Sequence, residues 1–370
     1  MTALIDLAAC DEPQDAIEAT VHMLTEGGVV ALPDECGLVI AGLATHPEAV
    51  QRLKEIQPHW KDGVAAVSFP FVELIDDYCA KTEFGSKFAS RCLPGPLILE
   101  MPVGPDKLTT AWQSDAKKWC ARGNDTHWAC TVPADPTQHE VMQQLPAPLL
   151  TLTISTHGVK PTTPIGGTDI TLLSAGPRFD GPPTVVEVSE DSWHVQKQGV
   201  VTELALTRQL CDVFLFVCTG NTCRSPMAEA LFRKLMAERM GCSDDALVDR
   251  GVIVTSAGLA THGGSPASRH AVQLLMDEDA IDLRDHSSQP VTEDLLLRSD
   301  LILTMTASHR DAIVGTFPEL SQRTRLLSPQ NQDIIDPYGG SIDEYRSCRD
   351  EIQACLEDLI TELEANSSLE

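Results

Sequence analysis

Five consecutive apolar residues, Val213-Phe214-Leu215-Phe216-Val217, run directly into Cys218. A short run that is apolar at every position predicts a strand buried on both faces. From Pro226 the spacing changes, and Pro226-Met227-Ala228-Glu229-Ala230-Leu231-Phe232 reads as the opening of a helix. Two more apolar runs, 252–254 and Asp300-Leu301-Ile302-Leu303-Thr304-Met305, predict further buried strands. The first two hundred residues alternate in the same way. A helical pattern over 13–26 is closed by Gly27-Gly28, and a buried strand is expected at 29–33. A second amphipathic helix follows at 44–56, with later strands at 97–101, 149–154 and 184–188. Alternating helices and strands predict α/β layers throughout. At 370 residues the chain has room for two domains, each with a core of its own. The charged apolar mixture between Gly199 and Leu210 places the division, giving domains 1–207 and 208–370. No internal repeat is evident, and 362–370 reads as a frayed tail.

Charge narrows the partners. The net charge is -27, with 13 basic against 27 acidic residues in 1–207 and 14 against 27 in the remainder. Nucleic acid binding needs concentrated Lys and Arg, and no such run occurs. Acidity in both halves disfavours RNA and anionic membranes and suits a basic target. No segment reaches ~18 consecutive apolar residues, the length a membrane span needs. The start, Met1-Thr2-Ala3-Leu4-Ile5-Asp6, lacks the basic opening and apolar run of a signal peptide. Twelve scattered cysteines without a secreted-scaffold rhythm point to a reducing cytoplasm. No Cys-x2-Cys pair is present, so no zinc site is expected, and no cofactor either.

The stretch Cys218-Thr219-Gly220-Asn221-Thr222-Cys223-Arg224-Ser225 lies where the predicted strand ends and the helix begins. Backbone N–H groups of such a loop, with the helix N-terminus, form an anion cradle. A free thiol titrates near ~8.5, and N–H donors beside Arg224 favour its thiolate. That thiolate can attack phosphorus and form phosphocysteine. Arg224 suits bidentate contact with two phosphoryl oxygens, and Ser225 can add a hydrogen bond to sulfur. Gly220 permits the backbone angles of a tight nest, and Asn221 can hold the loop or tolerate a left-handed conformation. Pro226 fits the first helical turn.

The string Phe216 to Glu229 resembles the signature of low-molecular-weight protein phosphatases. The resemblance covers 212–362 and implies a central parallel sheet flanked by helices. Asp336-Pro337-Tyr338-Gly339-Gly340 resembles the family's general-acid loop, with Asp336 protonating the leaving group and then activating water. Asp333 is a competitor without the Asp-Pro-Tyr context. Asp285-His286-Ser287-Ser288-Gln289 resembles the segment whose His bonds the phosphate-loop Ser, so His286 is expected to orient Ser225 from behind. Ser256-Ala257-Gly258 is a further landmark. Met305 is followed by Thr306 where the family often has Asp. Cys223 resembles the redox partner that closes a reversible disulfide with the nucleophile in related phosphatases.

Thr222 bears on the substrate. Tyrosine-specific relatives usually carry a larger aliphatic residue there, and threonine resembles the bacterial protein-arginine phosphatase branch. A hydroxyl and a smaller side chain are easier to reconcile with a planar, donor-rich guanidinium. The acid loop carries one aromatic, Tyr338, where many tyrosine-specific relatives carry two. The expectation is a phosphoprotein phosphatase, phosphoarginine ahead of phosphotyrosine. Arsenate reductases of the same fold are the enzyme alternative. They use two more cysteines in a mobile central segment, and here no Cys lies between Cys242 and Cys348. Cys348 and Cys355 are expected to pack on one helix face.

The first half resembles YrdC-type domains, known from threonylcarbamoyl-AMP synthases, over 13–204. Gly27-Gly28-Val29-Val30-Ala31-Leu32-Pro33-Asp34-Glu35 looks like their opening helix–strand–loop. Cys92-Leu93-Pro94-Gly95-Pro96-Leu97 is similar to their Trp-Pro-Gly-Pro-Leu segment, and Pro183-Thr184-Val185-Val186-Glu187-Val188 to their late strand. The departures fall on ligand-binding positions. Lys54-Glu55-Ile56-Gln57-Pro58-His59 stands for a Lys-Gly-Arg-like segment, Cys130-Thr131-Val132-Pro133 for Arg-x-Pro, and Thr153-Ile154-Ser155-Thr156 for Ser-Ala-Asn. Losing those cations removes the means of holding triphosphate. The domain is therefore expected to be non-catalytic: a small-ligand sensor, a scaffold or an assembly module. The second functional class is accordingly a regulatory protein whose phosphatase half serves that sensor.

Overall fold

The computed structural model describes residues 3–59, 64–103, 121–122, 127–155, 163–173 and 179–366. Thr156 of the expected ligand loop and residues 367–370 of the tail lie outside them. The chain divides into two compact units, Met1–Leu210 and Cys211–Glu370.

The first unit is built on one mixed sheet. Its strands are β1 (Ala3–Asp6), β2 (Val29–Asp34), β3 (Gly37–Leu43), β4 (Ala65–Ser68), β5 (Leu97–Pro102) and β6 (Ala121–Arg122). They continue with β7 (His127–Thr131), β8 (Leu149–Ser155), β9 (Ile170–Leu173), β10 (Thr184–Val188) and β11 (Trp193–Lys197). The order is β1-β9-β2-β3-β8-β4-β7-β5-β10-β11, with β6 on β7. The expected strands at 29–33, 97–101, 149–154 and 184–188 are all present. The helix Pro13–Thr25 matches its expectation. The second helix runs Pro47–Ile56, three residues later than its pattern began. Ala44 lies in the turn after β3 with its N–H bonded to Pro148 O, and Pro47, which suits a first helical turn, marks the true start. Three apolar clusters lie in this unit, a large one containing Leu53, Phe88 and Trp128, a second with Leu24, Leu32 and Leu172, and a small one of Ala66, Ile98, Ala129 and Val185.

The second unit holds β12 (Asp212–Cys218), β13 (Val252–Gly258), β14 (Leu301–Thr304) and β15 (Thr324–Leu326), in the order β13-β12-β14-β15. All its pairings are parallel. The apolar run is thus the central strand, buried on both sides as its composition requires. Phe214, Phe216 and Cys218 enter one cluster with Met227, Phe232 and Ile352. Leu215 and Val217 alternate into the opposite cluster with Leu296, Ile302 and Ile313. The first cluster brings in the helices Arg224–Met240, Arg269–Asp279 and Ile342–Asn366, and the second brings in Glu293–Arg298 and Ala307–Thr316. Cys348 and Cys355 are buried in the first cluster, as expected of core residues.

β12 comes first in the chain but sits between β13 and β14. The order therefore reverses at its carboxyl end, where open α/β sheets place their ligand crevice. The helix after it begins at Arg224 and not near Pro226. Arg224 and Ser225 are polar, so the apolar periodicity hid the first turn. It ends on Gly241, which takes the left-handed conformation with φ 61°.

Candidate active site

The loop after β12 folds around the Cys218 sulfur. Sγ lies 3.2 Å from the Asn221 backbone N–H and 3.0 Å from Ser225 Oγ. Asn221 takes φ 52°, the left-handed turn that points its N–H inward. Gly220 does not hold that conformation. A Cβ on it would meet only Thr222 Oγ1, at an ordinary 3.6 Å. The glycine that the loop requires is Gly258, paired with Cys218 across the sheet. A Cβ there would stand 2.8 Å from Thr219 O and 2.9 Å from Asn221 N.

The hydrogen bonds behind the loop have one consistent direction. Gln289 N–H donates to Asn221 Oδ1 at 2.9 Å, which fixes the amide orientation. Asn221 Nδ2 then donates to Ser225 Oγ at 3.0 Å and to Ser256 Oγ at 2.8 Å. Ser256 passes its own proton to Glu229 Oε2 at 2.6 Å. Burial pushes the Glu229 carboxyl upward, partly offset by the Ser256 hydrogen bond. With Oγ accepting from Asn221, the Ser225 hydroxyl hydrogen has two acceptors in reach, Cys218 Sγ at 3.0 Å and the Ala257 carbonyl at 3.4 Å. The shorter contact is to the sulfur, which also receives the Asn221 N–H.

His286 differs from its expected contact. Its Nε2–H donates to the Asn221 backbone carbonyl at 2.8 Å, not to Ser225. A carbonyl only accepts, so this imidazole carries its proton on Nε2. His286 braces the loop through Asn221, which in turn reaches Ser225.

Arg224 is buried at 4% exposure, in the first turn of its helix. Nη1–H donates to Ile334 O at 3.1 Å, and Nη2–H reaches Thr219 Oγ1 at 3.4 Å and pairs with the Asp336 carboxylate. Its Nε–H is buried without a partner. Ile334 N–H bonds Met305 O at 2.8 Å and its side chain is buried, so the acid loop is pinned immediately before Asp336. The competitor Asp333 is occupied elsewhere, accepting Ala307 N–H at 2.7 Å at a helix start. Tyr338 stands 77% exposed and Ile335 78% exposed beside Asp336.

Cys223 Sγ lies 3.1 Å from the Tyr345 hydroxyl. That buried phenol is pushed up to about 12, mainly by desolvation and by its bond to Cys223. Thr222 is half-buried, its Oγ1 3.7 Å from Cys223 Sγ and its carbonyl accepting Ser268 N–H at 2.8 Å. Thr219 is exposed at the loop's outer edge and bonds His309 Nε2 at 2.9 Å.

The structure thus brings together Cys218, Thr219, Asn221, Cys223, Arg224, Ser225, His286 and Asp336, with Gly220 and Thr222 completing the loop. The motifs in the sequence do not point to Glu229, Gln289, His309 or Tyr345 as parts of the site. Glu229 and Gln289 are the last residues of the strings Phe216 to Glu229 and Asp285 to Gln289, and that position is their only signal. His309 and Tyr345 carried no motif signal of their own.

In the first unit, carboxylates crowd the hairpin after β2. Glu35, 2% exposed, accepts Ala134 N–H at 3.2 Å, and Asp135 caps a helix through Thr137 N and Gln138 N. Burial and the neighbouring Glu35 push Asp34 up to about 8. Arg52 is engaged by Asp169 at 2.7 Å and by Gly167 O at 2.8 Å. No helix among the described residues is long and apolar enough to cross a membrane.

Residues 213–369 match the family model described as low molecular weight phosphotyrosine protein phosphatase. Residues 22–199 match the Sua5/YciO/YrdC model, described as telomere recombination. The chain is 40% identical over 154 residues to the protein-arginine-phosphatase of Bacillus subtilis (strain 168), covering 40% of this chain and 95% of that protein. It is 39% identical over 154 residues to the protein-arginine-phosphatase of Geobacillus stearothermophilus, with the same coverage of 40% and 95%. It is 34% identical over 133 residues to the low molecular weight protein-tyrosine-phosphatase PtpB of Staphylococcus haemolyticus (strain JCSC1435), covering 35% of this chain and 85% of that protein.

Proposed function

Through residues 213–369 the chain belongs to the low molecular weight protein phosphatase family, and we propose that it is a protein phosphatase working through a phosphocysteine on Cys218. The observation that carries this reading is the sulfur itself, at the end of a central strand, with the Asn221 N–H aimed at it and the Ser225 hydroxyl 3.0 Å away. In the first step the Cys218 thiolate attacks phosphorus, and the bond from phosphorus to the leaving atom breaks. Asp336, protonated, gives its proton to that atom. In the second step the Asp336 carboxylate takes a proton from water, whose oxygen displaces sulfur and releases phosphate. Arg224 holds phosphoryl oxygens in both steps, exchanging its Asp336 partner for them. Freed from Arg224, Asp336 can carry the proton that it gives to the leaving group, and the proton it takes from water in the second step restores that acid. Trapping tests the mechanism. An Asp336→Asn variant quenched in acid during turnover should carry a phosphoryl increment on the peptide containing Cys218, and an unmodified peptide would sink the phosphocysteine step.

The substrate reading is a phosphoprotein, with phosphoarginine ahead of phosphotyrosine. It rests on Thr222, half-buried in the loop, and on the single aromatic of the acid loop. The acidity of the chain suits a basic target. We place the enzyme in the cytoplasm. The first unit is a non-catalytic relative of the YrdC type. The segment Cys130-Thr131-Val132-Pro133 is followed by Ala134 and Asp135, which lie against the buried Glu35 carboxylate, and Arg52 is held by Asp169. Measured threonylcarbamoyl-AMP formation by the purified chain would overturn that last reading.

A further inference from the structure

We propose that His309 is a positioning residue for this reaction, fixing the Thr219 hydroxyl and through it the guanidinium of Arg224. The inference rests on the phosphatase reading of the loop. His309 lies in the first turn of the helix Ala307–Thr316, which follows β14 at the same sheet end as Cys218. Side chains in a first turn lean towards the helix N-terminus, which here directs the imidazole at the loop. The ring is 7% exposed, and Nε2 stands 2.9 Å from Thr219 Oγ1. The same oxygen receives Arg224 Nη2–H at 3.4 Å. Arginine only donates, so Thr219 Oγ1 is an acceptor for Arg224, and its hydroxyl hydrogen can go to His309. The contact runs from Arg224 through the exposed Thr219 hydroxyl to the buried His309 ring.

The charged groups facing His309 are Arg224, Asp336 and Asp333. Burial and the Arg224 cation push the imidazole down and favour its neutral form, against the opposing pull of Asp336 and Asp333. The positive end of its own helix also favours the neutral form. Accepting at Nε2 places the ring proton on Nδ1, which is buried without a partner. A neutral ring is what the relay needs, because an imidazolium would repel Arg224 and lose its acceptor. His309 touches no reacting atom in this arrangement. Its effect is exerted on where Arg224 points.

The test measures inorganic phosphate binding by calorimetry and p-nitrophenyl phosphate turnover in parallel, on the full chain. His309→Ala and Thr219→Val should each weaken phosphate binding and kcat/KM by about tenfold, the scale of one hydrogen bond to a charged group. The change in kcat should stay below about threefold. His309→Gln places an amide near the Nε2 position and should recover most of the loss. The double variant should be no worse than either single one, because both remove the same relay. Phosphate affinity within twofold of wild type in folded His309→Ala overturns the inference, as does a double variant in which the two losses multiply. If His309→Ala does not fold, Thr219→Val decides, and its binding phosphate like wild type overturns the inference. A wild type that binds phosphate but turns over no ester removes the phosphatase reading, while calorimetry still judges the relay. A wild type that binds no phosphate removes both.

Discussion

Asn221 does three things at once: it supplies an N–H to sulfur, an amide proton to Ser225 and the left-handed turn that shapes the loop. Asn221→Ala keeps none of the side-chain bonds and disfavours the turn, since alanine lacks the local hydrogen bonds that ease φ > 0. It should lower kcat/KM by about 10²–10³, comparable to losing a preorganised donor. Thr222→Ile should move the ratio of phosphoarginine to phosphotyrosine hydrolysis towards tyrosine, measured on matched peptides, and an unchanged ratio would sink the specificity argument. Asp336→Asn should reduce kcat by about 10²–10⁴ for substrates with poor leaving groups, the usual contribution of a positioned acid. Much of the site was legible one residue at a time, because Cys218, Arg224 and Asp336 belong to compact motifs. The partners of those residues were less so. His286 was read as touching Ser225, but a side-chain target cannot be told from a neighbouring backbone carbonyl in a string of letters. Gly220 was read as the conformationally necessary glycine because it lies in the loop. The crowded backbone meets Gly258 instead, which belongs to another strand.

At the scale of elements, β12 and the helix Arg224–Met240 present the loop, and β13 sets how close it can lie. Gly258→Ala would place a methyl group under 3.0 Å from Thr219 O and Asn221 N, both backbone atoms that cannot swing aside. The loop must shift, and Asn221 N is a donor to the sulfur. The expected outcome is loss of most phosphate binding together with about 1–3 kcal/mol of stability in denaturant unfolding, the usual range for overpacking. A variant with wild-type phosphate affinity would show that the loop relaxes without cost. Elements with unbroken apolar runs were the easiest to read, since their short length and β-branched or aromatic residues favour a strand over a buried helix. Helix starts were read late or early. Arg224 and Ser225 are polar because they serve the anion site, so function masked the first turn. At Ala44 the error ran the other way, because a turn residue after β3 fell in phase with the apolar face of a helix that starts only at Pro47.

For the whole molecule, the two units have separate apolar cores, each cluster confined to one side of residue 210. A chain limited to 211–370 should therefore fold and hydrolyse p-nitrophenyl phosphate with kcat/KM within about threefold of the full chain. The first unit should respond to pH through Asp34, whose folded value of about 8 lies above that of an unfolded carboxylate. Between those values the folded state binds more protons than the unfolded one, so stability falls as pH rises from the usual carboxylate range to about 8. Asp34→Asn should flatten that decline in unfolding curves taken across the window, and an unaltered slope would assign it to other groups. The charge balance excluded broad partner classes but could not reveal which carboxylates lie buried together. That depends on Glu35 and Asp135, a hundred residues apart in sequence, meeting where the turn after β2 receives the Ala134 N–H. The claim on which the rest depends is that Cys218 is the nucleophile, and initial rates of p-nitrophenolate release by wild type and Cys218→Ser, both confirmed folded, test it most directly. Saturable turnover by wild type with none above background in the variant is the predicted result, and a variant that retains the wild-type rate would contradict it.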